Sequence, residues 1–114
     1  MNENNKSLNI KIGQSDKNIL KKYIEVAGVI FVVLDRKGNV VSFNRELCDK
    51  LKLDASDIRG KDWFNNFVFI NDRSWLKNIF CKLMRGEMDE ETEFVENGIV
   101  DKYGNKQIIL WHNA

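Results

Sequence analysis

The protein has 114 residues, enough for one domain around one core and too few for two. Apolar residues make up 43% and charged residues 31%, a mixture that buries a core, stays hydrated and excludes global disorder. Lys and Arg total 18 against 17 Asp and Glu, so the cationic excess that a nucleic-acid module needs for its phosphate contacts is missing. The apolar run Val29–Leu34 falls far short of the roughly 20 residues that span a bilayer. Met1 to Lys6 is polar and contains no apolar signal-peptide core. Cys48 and Cys81 stand alone and read as small hydrophobes, which suits a reducing cytosol and not a disulfide framework.

In chain order, Leu8, Ile10 and Ile12 alternate with polar residues up to Gly13, a short strand signal. Ser15 or Asp16 caps an expected helix to about Ala27, with Ile19, Leu20, Tyr23 and Ile24 on one apolar stripe. Val29–Leu34 and Val40–Phe43 flank Asp35-Arg36-Lys37-Gly38-Asn39, a turn sequence, and together predict a β-hairpin. Asn44 supplies the acceptor that caps a helix from Arg45 to about Leu51. A short helical turn at Ala55–Ile58, capped by Asp54 and stopped by Gly60, precedes a helical or irregular segment over 61–67. Asp72 is the expected cap of a longer helix, Arg73–Arg85, closed by Gly86; Trp75, Ile79 and Leu83 recur on its apolar face. Met88–Glu91 reads as an acidic connector, then Thr92–Asn97 and Gln107–His112 as strands around the turn Asp101-Lys102-Tyr103-Gly104-Asn105. Because β and α segments do not alternate, the order predicts an α+β fold, an antiparallel sheet with helices on one face.

Three stretches resemble one family. Phe31-Val32-Val33-Leu34-Asp35 through Phe43-Asn44 is similar to the opening hairpin of PAS domains of the S-box type. Ile58-Arg59-Gly60-Lys61-Asp62-Trp63-Phe64-Asn65-Asn66-Phe67 resembles the family's "I-x-G-K-x-W-F-x-x-F" stretch. Glu93–Asn97, the turn at 101–105 and Ile108–Asn113, ending in "W-H-N", resemble its third and fourth strands. The resemblance covers residues 16–114, with 1–15 as a tail or an extra strand. It implies a sheet of order 2-1-5-4-3 whose fifth strand follows the "W-H-N" segment. The chain stops at Ala114, so the expectation is a PAS domain lacking that central strand, its place taken by Leu8–Ile12 or by a strand of a second chain.

No catalytic constellation is visible. His112 is the sole histidine, unpaired by any motif with Cys48, Cys81 or an acid, and it reads as a strand-end residue. Glu90, Glu91 and Glu93 read as a solvated acidic stretch, and no phosphate-loop, dinucleotide-binding, zinc or EF-hand spacing occurs. The reading is therefore a non-enzymatic domain without a metal site. The resemblance also implies a ligand cavity between sheet and helices. Its walls are expected at Phe31, Phe43, Leu47, Trp63, Phe67, Phe80, Leu83 and Trp111. Haem-type members use a histidine on the long helix, and this helix has none. Light-sensing members use a cysteine in an "N-C-R-F-L-Q" stretch that neither cysteine matches. Haem and covalent flavin are thus disfavoured, while non-covalent FAD or a small metabolite stays open.

The resemblance further implies a cytoplasmic module of a larger signalling protein, a sensor histidine kinase or a diguanylate cyclase, that senses a small ligand or mediates dimerisation. Ile19, Leu20, Tyr23 and Ile24 are the expected homodimer contacts, the output domain is the second partner, and neither nucleic acid nor membrane is expected. The alternative is a ligand-free interaction scaffold with a filled core.

Overall fold

Two turns of the same chemistry organise the chain, for which the computed structural model describes residues 6–8 and 28–113. In the first, one carboxylate oxygen of Asp35 accepts from the N–H groups of Lys37 and Asn39 at 2.9 and 3.0 Å. In the second, Asp101 accepts from Tyr103 and Asn105, both at 2.9 Å. Each aspartate also exchanges backbone hydrogen bonds within its turn, and each turn needs positive φ at its glycine, 84° at Gly38 and 82° at Gly104. The first turn joins β2 (Val32–Leu34) to β3 (Val40–Phe43), with a bulge between Val33 and Leu34. The second joins β4 (Phe94–Val100) to β5 (Lys106–His112) in continuous antiparallel register from Phe94↔His112 to Val100↔Lys106.

Four helices lie between the hairpins: α1 (Arg45–Leu51), α2 (Ala55–Ile58), α3 (Trp63–Phe67) and α4 (Arg73–Met84). A fifth, α5 (Glu90–Glu93), leads directly into β4. The fold is α+β, as the sequence order predicts. The helices and two separate sheets, one formed by β2–β3 and the other containing β4–β5, enclose a single apolar layer that includes Ile30, Val40, Leu47, Leu51, Ile58, Val68, Ile99 and Ile109, all at 0% exposure.

Asn44 sets the start of this layer. Its side-chain oxygen accepts from Leu47 N, capping α1, and from Phe31 N; its amide nitrogen donates to Val29 O. These bonds occupy Val29 O and Phe31 N, and β2 begins at Val32 and not at the expected Val29. At the far end of α1, Lys102 N and the Gln107 side chain donate to the Leu51 and Lys50 carbonyls, satisfying groups that a helix end leaves open.

The arm running from 58 to 72 closes two sheet edges. Val40 N donates to Lys61 O and Gly60 N to Val40 O, covering the outer edge of β3. On the other hairpin, Phe69 N donates to Gly98 O at 2.9 Å and Gly98 N donates to Asp72 Oδ2 at 2.8 Å, covering the outer edge of β4. Gly98 is required here for space: a Cβ would lie 3.0 Å from Phe69 Cβ and 2.8 Å from the Lys106 side chain. Asp72 is therefore no side-chain cap of α4, because its carboxylate is engaged by Gly98 and by Trp75 Nε1. Asp54 likewise makes no capping bond to α2. The expected strand from Thr92 starts two residues later, since Asp89 and Thr92 form a reciprocal capping box that winds 90–93 into a helical turn.

A short strand, β1 (Lys6–Leu8), pairs in parallel with Leu110–His112 on the edge of β5 away from β4. The sequence signal puts that strand at Leu8–Ile12; of this span only Leu8 is described. The expected helix bearing Ile19, Leu20, Tyr23 and Ile24 lies outside the described residues. No described helix is long and apolar enough to cross a membrane.

Three outcomes are expected. Lys52, just after α1, is the one described non-glycine residue with positive φ, at 57°. Lys52→Gly relieves that strain and should raise stability by about 1 kcal/mol, a melting-temperature gain of roughly 4 °C in calorimetry. Asp72→Ala leaves the Gly98 N–H without its acceptor and should lower stability by about 1–3 kcal/mol in chemical denaturation. For Asp101, burial alone would raise the carboxyl, but the N–H groups of Asn105 and Tyr103, the Asn105 amide and the Lys52 charge hold it below its ordinary 3.8. Its stabilisation is present above that value and lost as pH falls through the lower folded value. Asp101→Asn should accordingly flatten the decline in stability below about pH 4 in acid titrations followed by circular dichroism.

Candidate functional site

The inner face of the β4–β5 hairpin carries Val95, Asn97, Ile99, Ile109 and Trp111, all buried. Strand alternation puts them on one side, while Phe94, Glu96, Ile108 and Leu110 take the other. Across from this face stands α3. Its position follows from two local contacts. Asp62 caps it by accepting from Phe64 N at 3.0 Å and Asn65 N at 3.3 Å. Trp63 N donates to Gly38 O at 2.9 Å, tying the helix start to the first turn.

So held, Trp63 meets Trp111 edge to face, with ring centroids 5.6 Å apart and planes at 90°. Phe67 lies 5.5 Å from Trp63, tilted by 46°. The three rings form one run from the sheet to the helix layer, and such pairs add about 0.5–1.5 kcal/mol each beyond their area. Leu47 is buried in the same core. The remaining expected wall residues are placed differently. Phe80 is half-buried and pairs with Phe64, centroids 5.3 Å apart, beneath the Gly38 turn. Phe43 is half-buried under the Arg59 guanidinium, 4.9 Å from its ring centroid. Phe31 is half-buried beside Asn44, and Leu83 is half-buried near the end of α4. Trp63, Phe67 and Trp111 are thus brought together, while Phe80, Phe43, Phe31 and Leu83 lie at the margins of the core.

Asn97 is the residue that sequence reading missed. It is 3% exposed, and its Nδ2 donates to Gly98 O at 3.0 Å, yet its Oδ1 has no partner. Trp111, 7% exposed, likewise has an unpartnered Nε1–H. A buried acceptor and a buried donor are therefore left over on the same sheet face, where paired registers Asn97↔Ile109 and Val95↔Trp111 make the two residues diagonal neighbours. The signal was present in the sequence: an amide at an inward position between Val95 and Ile99.

The groups with chemical potential elsewhere do not converge on this layer. His112 points Nε2 at Glu93 Oε1, 3.2 Å away, and stacks on Phe94 with centroids 4.7 Å apart, on the opposite side of the sheet. Burial, followed by the Asp49 charge, pushes the Cys48 thiol up, which opposes thiolate chemistry. Among the described residues no three His, Cys, Asp or Glu side chains gather to hold a metal.

No family model matches the sequence, and no curated protein is similar enough to serve as a relative. Solved structures are similar. The PAS domain of the RpfR quorum-sensing receptor of Cronobacter turicensis, in complex with BDSF, is 25% identical; the match covers 73% of this chain and 78% of that one, with a TM-score of 0.63. The same domain in complex with C12:0 gives 25% identity, 73% and 77% coverage and a TM-score of 0.63. The PAS domain of an HTR-like protein from Haloarcula marismortui, at 18% identity over 86% of this chain and 82% of that one, has the same fold with a TM-score of 0.63. Two hairpins bridged by the helical arm and these structural neighbours lead to one conclusion: the chain has the fold of a PAS domain.

Proposed function

We propose that this PAS domain is the ligand-sensing module of a larger signal-transduction protein, such as a sensor histidine kinase or a diguanylate cyclase, and performs no chemistry of its own. The observation that carries the reading is the inner face of β4–β5, where an aromatic run overlies two buried polar atoms without partners. Interior polar groups left unpaired each oppose folding by about 1–3 kcal/mol, and a bound molecule that pairs them removes that penalty. The neighbour at 25% identity was solved with BDSF and with C12:0, so this fold accommodates small molecules in at least one relative. The ligand read here has an apolar body against Trp63, Phe67 and Trp111 and a polar end toward the sheet.

The scaffold alternative has one observation in its favour: Leu47, Leu51, Ile58, Trp63, Phe64 and Phe67 already pack the layer closely, each at 4% exposure or less. The two readings separate experimentally. Protein purified from its expression host is examined by native mass spectrometry and solvent extraction, then titrated with C12:0 while intrinsic tryptophan fluorescence is followed. A co-purified small molecule, or saturable quenching that Trp111→Phe diminishes, is the expected result. No adduct, no saturable change and an unchanged melting temperature across a panel of apolar-tailed compounds would leave the scaffold reading standing.

A further inference from the structure

The two orphaned atoms bear on more than whether a ligand binds. They restrict the chemistry of its polar end. The orientation of the Asn97 amide is fixed by its own bond: Nδ2 donates to Gly98 O, and the reversed orientation would set two oxygens against each other. What remains is Oδ1, an acceptor, which calls for a donor. Trp111 Nε1–H is a donor only, which calls for an acceptor. The register makes the two residues diagonal neighbours on one sheet face, roughly 7–8 Å apart at the backbone.

Charge narrows the choice again. The buried polar or charged side chains among the described residues are Asn44, Thr92, Asn97 and Asp101, with no Lys or Arg. An ionised carboxylate seated here would find no buried Lys or Arg among the described residues to offset its desolvation, and it has no proton to give to Asn97 Oδ1. A purely accepting group, such as an ester, satisfies Trp111 and leaves Asn97 unpaired. A purely donating cation does the reverse and meets an indole N–H.

We infer that Asn97 and Trp111 form the headgroup site of this domain, and that it selects an uncharged polar group carrying both a donor and an acceptor on an apolar tail. A primary carboxamide, an undissociated carboxylic acid and an alcohol belong to this class. The inference rests on the ligand-sensing reading and specifies the ligand within it. It also sets a pH dependence that belongs to the ligand: a fatty acid enters in its protonated form, so its apparent affinity falls about tenfold per pH unit above its own pKa, whereas an amide of the same chain is insensitive.

The test uses the full chain and four eight-carbon probes, namely octanamide, 1-octanol, octanoic acid and methyl octanoate. Binding is read by calorimetric titration and by the indole N–H resonance of Trp111, assigned by its disappearance in Trp111→Phe. Octanamide is expected to bind at least tenfold more tightly than methyl octanoate and to move the Trp111 resonance, and octanoic acid to weaken as pH rises from about 5 to 8. Asn97→Leu, which replaces the orphaned acceptor by an apolar group of similar size, should fold at least as stably and bind amide and ester within about twofold of each other. Equal binding of amide and ester by the unaltered protein would overturn the headgroup assignment while leaving ligand sensing intact. Failure of all four probes to bind, with one ordered water bridging Asn97 Oδ1 and Trp111 Nε1 in a crystal structure, would overturn both.

Discussion

The bond from Gly98 N to the carboxylate of Asp72 is the constraint on which the site depends. It joins the middle of β4 to the start of α4 across 26 residues of sequence, and Phe69 N reinforces it on the Gly98 carbonyl. A strand edge left open would expose these groups to competing partners; here the connector between α3 and α4 occupies them. That closure fixes how near the arm approaches the sheet, and glycine at 98 lets Phe69 come within reach. The Lys106 ammonium, 4.1 Å from the Phe69 ring centroid, covers the junction from solvent. With the far end of the arm tied to β3 through Gly60 and Lys61, α3 is held at both ends, and Trp63 has one place to go. The aromatic run over Trp111 is a consequence of edge closure as much as of hydrophobic burial.

The parts of this arrangement readable from sequence are those governed by neighbouring residues. The D-x-x-G-N turns and α1 with Asn44 as its cap follow from signals within five residues, whereas 61–67 read as helical or irregular and only the structure assigns α3 there. Misreadings begin where one local signal has a stronger competitor. Asp72 has the chemistry of a helix cap and stands at the right position, yet a buried strand N–H is the stronger claimant, because an unmet donor inside the fold opposes folding more than a frayed first turn does. Thr92 has strand propensity, but Asp89 three residues before it completes a capping box. The four aromatic and aliphatic residues at the margins, Phe31, Phe43, Phe80 and Leu83, were legible as apolar and not as peripheral, since period alone gives a face and not a depth.

Strand β1 marks a different boundary. Alternation near the N-terminus announces a strand, but a parallel pairing to a strand about a hundred residues later has no local signature. Its register nonetheless has a structural consequence. Ser7 is paired with Trp111 and Leu8 with His112, so the strand that carries the inward indole also anchors the N-terminal segment, one residue away from the Glu93–His112 contact on the outer face. The inner layer, the outer face and the N-terminal segment thus meet on three consecutive residues of β5.

Two buried asparagines differ in how fully the fold pairs them. Asn44 and Asn97 are 8% and 3% exposed, and each lies between backbone elements that it could tie together. Asn44 uses both ends of its amide: the oxygen accepts from Phe31 and Leu47, and the nitrogen donates to Val29. Such full pairing is the ordinary condition of interior polar groups, and it makes Asn44 an organising element of the first hairpin. Asn97 makes a single bond, to the carbonyl of the next residue, which already accepts from Phe69 N and so has little need of it. A leucine there would fill the same space without an orphaned oxygen, and a phenylalanine at 111 would remove the orphaned indole N–H. The two polar groups therefore oppose folding together, and they do so on one face and with opposite hydrogen-bonding sense. Stability alone gives no reason for that combination.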